Sequence, residues 1–515
     1  MNLNFILLII LLLLTSCQPS DPNAIAFQET LKEHGTKYDF WIRNGLVYNG
    51  LDTAGVKMDV LIKGEDITFV GPVDGDLITV QKEIDATGQV VAPGFIDTHA
   101  HGDPLRTPAF ENFLSMGVTT ICLGQDGFSP MRENIGEWME SVADTIPGTN
   151  IAMFIGHSTL RQLSGTAYEP EPKPMQLDTM KALLARAMDA GCFGMTTGLE
   201  YTPGTYASDP ELLALAKIVG EQDGLIMSHV RNEDNEAVEA SIQELLRQGQ
   251  YCNVHVSHLK VVYGKGEERA EEILALLQSA ETGHRVTADI YPYNASYTGI
   301  GIVFPQWAKA PNDYNQVKRT RREELLAFLR QKVTSRNGPE ATLLGTGDFA
   351  GKTLADVSQE RGAPFEEVLE EIGPEGASGA YFVMNDSLQQ RLIAAPDVMI
   401  CSDGSPTMRH PRGYGTFAKI IEEYVQNRQL FPLGTAIHKM SGLSAQTIGL
   451  ENRGVLKAGN KADVVIFDPT KVRANATYEN PHQLATGFDW VLVNGQLAIN
   501  NGQLAEERFG EMLRK

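Results

Sequence analysis

The chain has 515 residues, a formal net charge of −22, and 42% hydrophobic and 21% charged residues. That length accommodates one large α/β barrel of about 250 residues or more together with an accessory domain, and the composition excludes long disordered or low-complexity tracts. The acidic balance excludes nucleic acid and an anionic membrane surface as partners, because either requires a basic face.

The chain opens on "MNLNFILLIILLLLTSC", with an apolar run over 5–14. Such a run is short for a membrane span and about as long as a signal-peptide core. Leu14-Thr15-Ser16-Cys17 resembles a bacterial lipobox, although no Lys or Arg precedes it. Residues 1–17 are therefore expected to be a lipoprotein signal peptide with Cys17 lipidated. The folded part would then be exported to the cell envelope and lipid-anchored to a membrane, facing the periplasm or the cell surface. "QPSDPNA" opens an expected tether over 18–36. The other four cysteines, Cys122, Cys192, Cys252 and Cys401, sit in apolar stretches without CxxC spacing and are expected to be buried free thiols.

From residue 37, "YDFWIRNGLVYNG", "MDVLIKGEDITFVG" and "EIDATGQVVAPGF" read as short strands separated by turn dipeptides. "GVLKAGNKADVVIFD" and "FDWVLVNGQLAINNG" have the same character near the other end. The two ends, 37–92 and 454–515, are expected to form one small β-sandwich domain. Between them, over 93–453, eight apolar strands alternate with amphipathic helices such as "DTMKALLARAMDAG" and "ERAEEILALLQSAETG". That alternation predicts an α/β fold of the (β/α)8, TIM-like barrel type. The stretch around 301–379 is too long for one unit and is expected to be an insertion, helical over 321–333.

A barrel brings all its C-terminal strand ends to one mouth, and several strands end in a residue able to bind metal or move a proton. His99 and His101, in "DTHAH", are two apart and share one strand face. "MSHV" ends the fifth strand with His229, "VSHLK" the sixth with His258, and "CSDG" the eighth with Asp403. Four histidines and a carboxylate suit Zn2+. His255 lies three before His258, on the opposite face, and reads as structural; His157, in "FIGHS", reads as a mouth residue with no assigned role. The second strand runs into "TTICLGQDGFS", which offers either the thiol of Cys122 or the carboxylate of Asp126. Four extended residues separate them, roughly 13 Å at about 3.3 Å per residue, so Cys122 is expected deep in the barrel and Asp126 at its mouth.

"APGFIDTHAHGD", together with the later His, His and Asp, resembles the amidohydrolase superfamily, and the N-acyl-D-amino-acid deacylase (D-aminoacylase) family most of all. The likeness extends through "GHSTLR", "GLEYTPG", "SHVRNE", "SHLKV", "DIYPYNAS", "SDGSPTMRHPRGYGTF" and "AIHKMSGLSAQTIGLENRGVLKAGNKADVVIFDP". It implies metal-dependent hydrolysis of N-acyl-D-amino acids to a carboxylate and a free D-amino acid. It further implies that His229 and His258 hold a tightly bound zinc, that His99 and His101 hold a second, weaker ion, and that Asp403 is the general base. Lys260 and Arg412, with Tyr201 and Tyr291, would hold the substrate's α-carboxylate; the D preference rests on the resemblance alone.

The family places a bridging cysteine in a "GNCG" turn, where this chain has Gly124-Gln125-Asp126-Gly127. Asp126 thus takes the cysteine's place, and a carboxylate there makes the site harder, so that Mn2+ or Fe2+ joins Zn2+ as a candidate, with one or two ions bound. Two other readings compete. A cyclic-amide hydrolase of the dihydroorotase or hydantoinase kind commonly uses a carboxylated lysine after the fourth strand, and "GCFGMTTGLEY" contains none. An inactive lipid-anchored binding protein would not need the retained histidines and Asp403. Oligomeric state is not encoded in any of these features.

Overall fold

The computed structural model describes residues 22–515. The expected signal segment, with Cys17, lies outside the described residues. Two parallel sheets run through the middle of an α/β fold. The first pairs β1 (Phe95–Asp97), β2 (Val118–Leu123) and β3 (Asn150–Met153). The second starts at Ile155–Gly156, separated from β3 by Phe154 alone. It continues through β4 (Gly194–Gly198), β5 (Leu225–His229), β6 (Asn253–Val256), β7 (Val286–Ile290) and β8 (Val398–Ile400). Beyond the strand ends, Asp403 N donates to His99 O and His101 N to Gly404 O, both at 2.8 Å.

The strands are short and almost wholly buried, β2 being buried along its entire length, as a parallel sheet covered on both faces requires. Helices supply the outer cover. Pro174–Asp189 starts on a proline and turns Met180, Leu183, Leu184, Ala187 and Met188 inward, one apolar stripe at helical period. Inside the parallel strands, Cys122 packs with Ile96, Ala152, Phe154 and Met227, and Leu513 from the C-terminal segment joins the same cluster.

Three expectations are corrected. The two chain ends form a single mixed sheet of nine strands, not a sandwich; Val464–Phe467 pairs directly with Val90–Pro93, so the two halves continue one ladder. The expected tether is structured from residue 22 onward: Pro22–His34 is a helix, and its Phe27 is buried against Tyr38, Leu61 and Phe69. Leu31, one turn on, packs against the same cluster, so the two side chains seat a helix that the polar flanking sequence does not announce. The insertion is wider than 301–379, because Ala295–Gly299 at its start pairs with Ser378–Phe382 at its end. It holds the helix Arg322–Ser335 and its own apolar cluster around Phe304, Leu329, Val357 and Leu369.

Candidate metal centre

Strand geometry delivers the donors to one place. His99 and His101 follow β1, His229 ends β5, His258 lies two residues past β6, Asp126 three past β2 and Asp403 three past β8. Three of these, Asp126 (φ 55°), His258 (φ 37°) and Asp403 (φ 48°), sit in the left-handed backbone region. Non-glycine residues seldom adopt it, and such strain clusters at functional sites.

Asp126 stands between the two histidine pairs. Its Oδ1 is 3.2 Å from His258 Nε2, 3.3 Å from His99 Nε2 and 3.8 Å from His229 Nδ1, while Oδ2 is 3.5 Å from His101 Nε2. Asp403 Oδ1 is 3.1 Å from His101 Nε2 and 3.8 Å from His99 Nε2. Two donor groups result, His99–His101–Asp126–Asp403 and Asp126–His229–His258, with their donor atoms mutually within 4.8 Å. Cys122 is fully buried below them, and burial pushes its thiol well up.

The electrostatics call for a cation. Burial would raise the Asp126 carboxyl, but His99 and His258 beside it hold it well below the usual range. Burial likewise opposes ionisation of Asp403, and Arg412 and His258 overcome it. The carboxylates in turn lift the His258 imidazole to about 10 against burial and the charge of Lys260. Burial depresses His99, the neutral form a metal takes, and its Nδ1 has no hydrogen-bond partner among the described residues. Imidazole nitrogens and carboxylate oxygens with unused donor capacity fit a divalent ion such as Zn2+.

The residues expected to hold a carboxylate line one small polar cavity with the donors: Lys260, Tyr291, Arg412 and Tyr201 surround it. Both cations already have partners. Lys260 Nζ lies 2.7 Å from Glu233 Oε1, and Arg412 Nη1 lies 2.8 Å from Asp403 Oδ2. Arg412 stacks on the Tyr291 ring, 4.7 Å from its centroid, and the Arg412 Nε and the Tyr291 hydroxyl are buried without a hydrogen-bond partner. The Tyr201 ring rests 4.4 Å from that of His229. His157 does not enter the cavity: its Nε2 is 2.7 Å from Glu211 Oε1, and Arg161 holds the other oxygen, all buried. His255 lies 3.0 Å from Asp289 on the neighbouring strand.

Likeness to known proteins agrees with this arrangement. An amidohydrolase family profile, Amidohydro_3, matches residues 357–499. The D-aminoacylase of Alcaligenes xylosoxydans xylosoxydans is 31% identical over 504 residues, spanning 92% of this chain and 97% of its own. The chain belongs to the D-aminoacylase family of amidohydrolases. A crystal structure of D-aminoacylase superposes with a TM-score of 0.81 at 30% identity, over 93% of this chain and all of that one. An N-acyl-D-glutamate deacylase from Bordetella bronchiseptica, complexed with zinc and a phosphonate mimic of the tetrahedral intermediate, superposes with a TM-score of 0.80 at 29% identity.

Against this D-aminoacylase frame, four carboxylates stand out that motif spacing misses. Glu200 Oε2 is 3.0 Å from His229 Nε2, and Glu233 Oε1 is 3.3 Å from His258 Nδ1. Asp289 Oδ1 accepts from His258 N at 2.5 Å, and Asp97 Oδ1 accepts from His99 N and Ser402 N at 3.2 and 2.9 Å. Asp97 and Asp289 carried one readable signal, a charged residue inside an otherwise apolar strand. Glu200 and Glu233 carried none, since both follow strand ends where polar residues are ordinary.

Proposed function

We propose that this protein hydrolyses the amide bond of N-acyl-D-amino acids, releasing a carboxylate and a free D-amino acid. The observation that carries the reading is the convergence of four histidines on Asp126 and Asp403 beside a cavity bearing Lys260 and Arg412. The two parallel sheets are read as one eight-stranded barrel. Support comes from the single residue between β3 and Ile155–Gly156 and from the bonds linking the ends of β8 and β1.

His229, His258 and Asp126 would hold one ion, and His99, His101, Asp126 and Asp403 a second. A bound Zn2+, or Mn2+ or Fe2+ in a set where a carboxylate stands in place of a thiolate, would lower the pKa of water and polarise the acyl carbonyl. Asp403 does the proton work. Asp403 stands ionised beside Arg412 and His258 and would accept the proton of the attacking water and return it to the departing amine. Arg412, stacked on Tyr291, and Lys260 attract and orient the α-carboxylate, with the Tyr291 hydroxyl as a further donor. Tyr201 packs against His229 and closes that side of the site. The preference for the D series is carried by the relatives.

The apolar opening segment and "LTSC" support export with Cys17 lipidated and the enzyme held at the cell envelope. Labelled palmitate incorporation that survives Cys17→Ser would overturn that part. The catalytic reading is tested on the purified protein by metal analysis and by turnover of matched N-acetyl-D- and N-acetyl-L-amino acids, with dihydrouracil and hydantoin as cyclic controls. Metal together with D-selective turnover is expected. Preferential turnover of the L series, or of the cyclic amides alone, would sink it, and bound metal with no turnover of any of them would favour a binding protein.

A further inference from the structure

Two cavities of unequal size and opposite character meet at the donor cluster, with Tyr201, Tyr297, Asp403 and Arg412 on their common boundary. The small polar one lies over the ends of β5, β6 and β7. The other, about 960 Å3, opens over the ends of β1, β2 and β3. The larger part of its wall is apolar, with Gln125, Ser129 and Ser378 interspersed: Leu123 and Met153 are buried at its base, Trp138 is half-buried, and Leu105, Phe128 and Met131 are exposed at its rim. Large apolar side chains left 43%, 42% and 51% exposed at the mouth of a site offer apolar surface to a ligand chain entering it. The nearby charges of Asp103 and Arg132 lie at its solvent edge.

We infer that the acyl group of the substrate is a long apolar chain, of the medium- or long-chain fatty acyl class, and that it lies in this larger cavity. The inference rests on the deacylase reading and deepens it. Across a trans amide, the acyl chain and the carboxylate-bearing carbon leave in opposite directions. With the carboxylate drawn to Lys260, Tyr291 and Arg412, and the carbonyl at the donor cluster, the acyl chain is directed over β1–β3. An acetyl group would leave nearly all of that volume to water, whereas cavities of roughly 300–1,000 Å3 enclose ligands of drug size. Each methylene moved from water onto apolar wall contributes about 0.8 kcal/mol, roughly fourfold in affinity.

The test compares the N-acetyl and N-octanoyl derivatives of one D-amino acid, chosen as the best N-acetyl substrate of the full-length metal-loaded enzyme. We expect kcat/KM for the octanoyl compound to exceed that for the acetyl compound by at least tenfold. Phe128→Ser and Met131→Ser, both at exposed positions that tolerate polarity, should each shrink that ratio by threefold or more. Binding of the same pair to Asp403→Asn, followed by calorimetry, reads the cavity without turnover and should show the same preference. Turnover of the acetyl compound with an octanoyl-to-acetyl ratio of one or below would overturn the inference while leaving the deacylase reading intact. Failure of both compounds to turn over would strike at the deacylase reading, and the calorimetric ratio would then decide the acyl cavity by itself: equal or weaker octanoyl binding overturns it.

Discussion

The two halves of the metal centre are built from the same residue types and supported differently. On the β5–β6 side, carboxylates stand behind both histidines: Glu200 at 3.0 Å from His229 Nε2 and Glu233 at 3.3 Å from His258 Nδ1, with the Lys260 Nζ that Glu233 binds also 2.8 Å from His258 Nδ1. At His229 a proton directed to Glu200 leaves the inner nitrogen's lone pair for a metal and fixes the ring's orientation. On the β1 side, His99 Nδ1 has no partner, and the His101 side chain is 30% exposed. Affinity at such sites is set as much by what holds the ligands as by the ligands themselves. We propose on this ground that the β5–β6 half would be the tighter site and the β1 half the exchangeable one, with Asp126 facing both.

Asp126→Ala attacks both halves at once and should have the largest effect. Loss of an outer-shell partner typically costs 10–100-fold in metal affinity or activity, so loss of a ligand facing both histidine pairs should cost about a hundredfold or more in kcat, with metal missing from both sites by mass-spectrometric metal analysis. Wild-type metal content in this variant would break the comparison at its centre. Glu200→Gln keeps the shape and removes the charge behind His229. Zinc affinity at the tight site, measured with a competing chelator, should fall about tenfold, while the weaker site stays as it was.

Acidity sharpens the contrast further. Because His258 titrates near 10, a metal must displace its proton at neutral pH, so the first equivalent should release about one proton. Below pH 10 its apparent affinity should then fall by up to tenfold for each unit of acidification; calorimetry in buffers of different ionisation enthalpy measures the proton. On the other side His99, depressed by burial, contributes no such release, and only His101, raised against burial by Asp403 and Asp126, adds to it. The smallest effect on chemistry belongs to Cys122→Ala. It should leave kcat within about twofold and destabilise the fold by about 1–2 kcal/mol in chemical denaturation, as expected for a small void in a packed core.

Much of the centre was legible because strand periodicity is rigid. The strands carry His99 and His101 past the end of β1 and keep Cys122 inside β2, whereas the turn that brings Asp126 to the histidines, with Gly124 and Asp126 at positive φ, is not an extended continuation of the strand. The supporting carboxylates were not legible, since Glu200 and Glu233 reach the histidines through loop conformations that no repeat encodes. At the chain ends, alternation announced strands without stating their partners, and the ladder between Val464–Phe467 and Val90–Pro93 makes one sheet where two were expected. The helix Pro22–His34 escaped notice because its attachment rests on two apolar residues, Phe27 and Leu31, in a polar stretch.

The left-handed backbone at residues 126, 258 and 403 also restricts which side chains these positions accept. Asn, Asp and His enter that region several-fold more readily than other L residues, and β-branched or bulky ones rarely. The donors at three corners of the centre are thus drawn from a short list on conformational grounds before any metal is considered, and hard oxygen and nitrogen ligands happen to fill that list. A thiolate at position 126 would have to meet two conditions, softer coordination and a less natural backbone, where aspartate meets its single requirement at lower conformational cost.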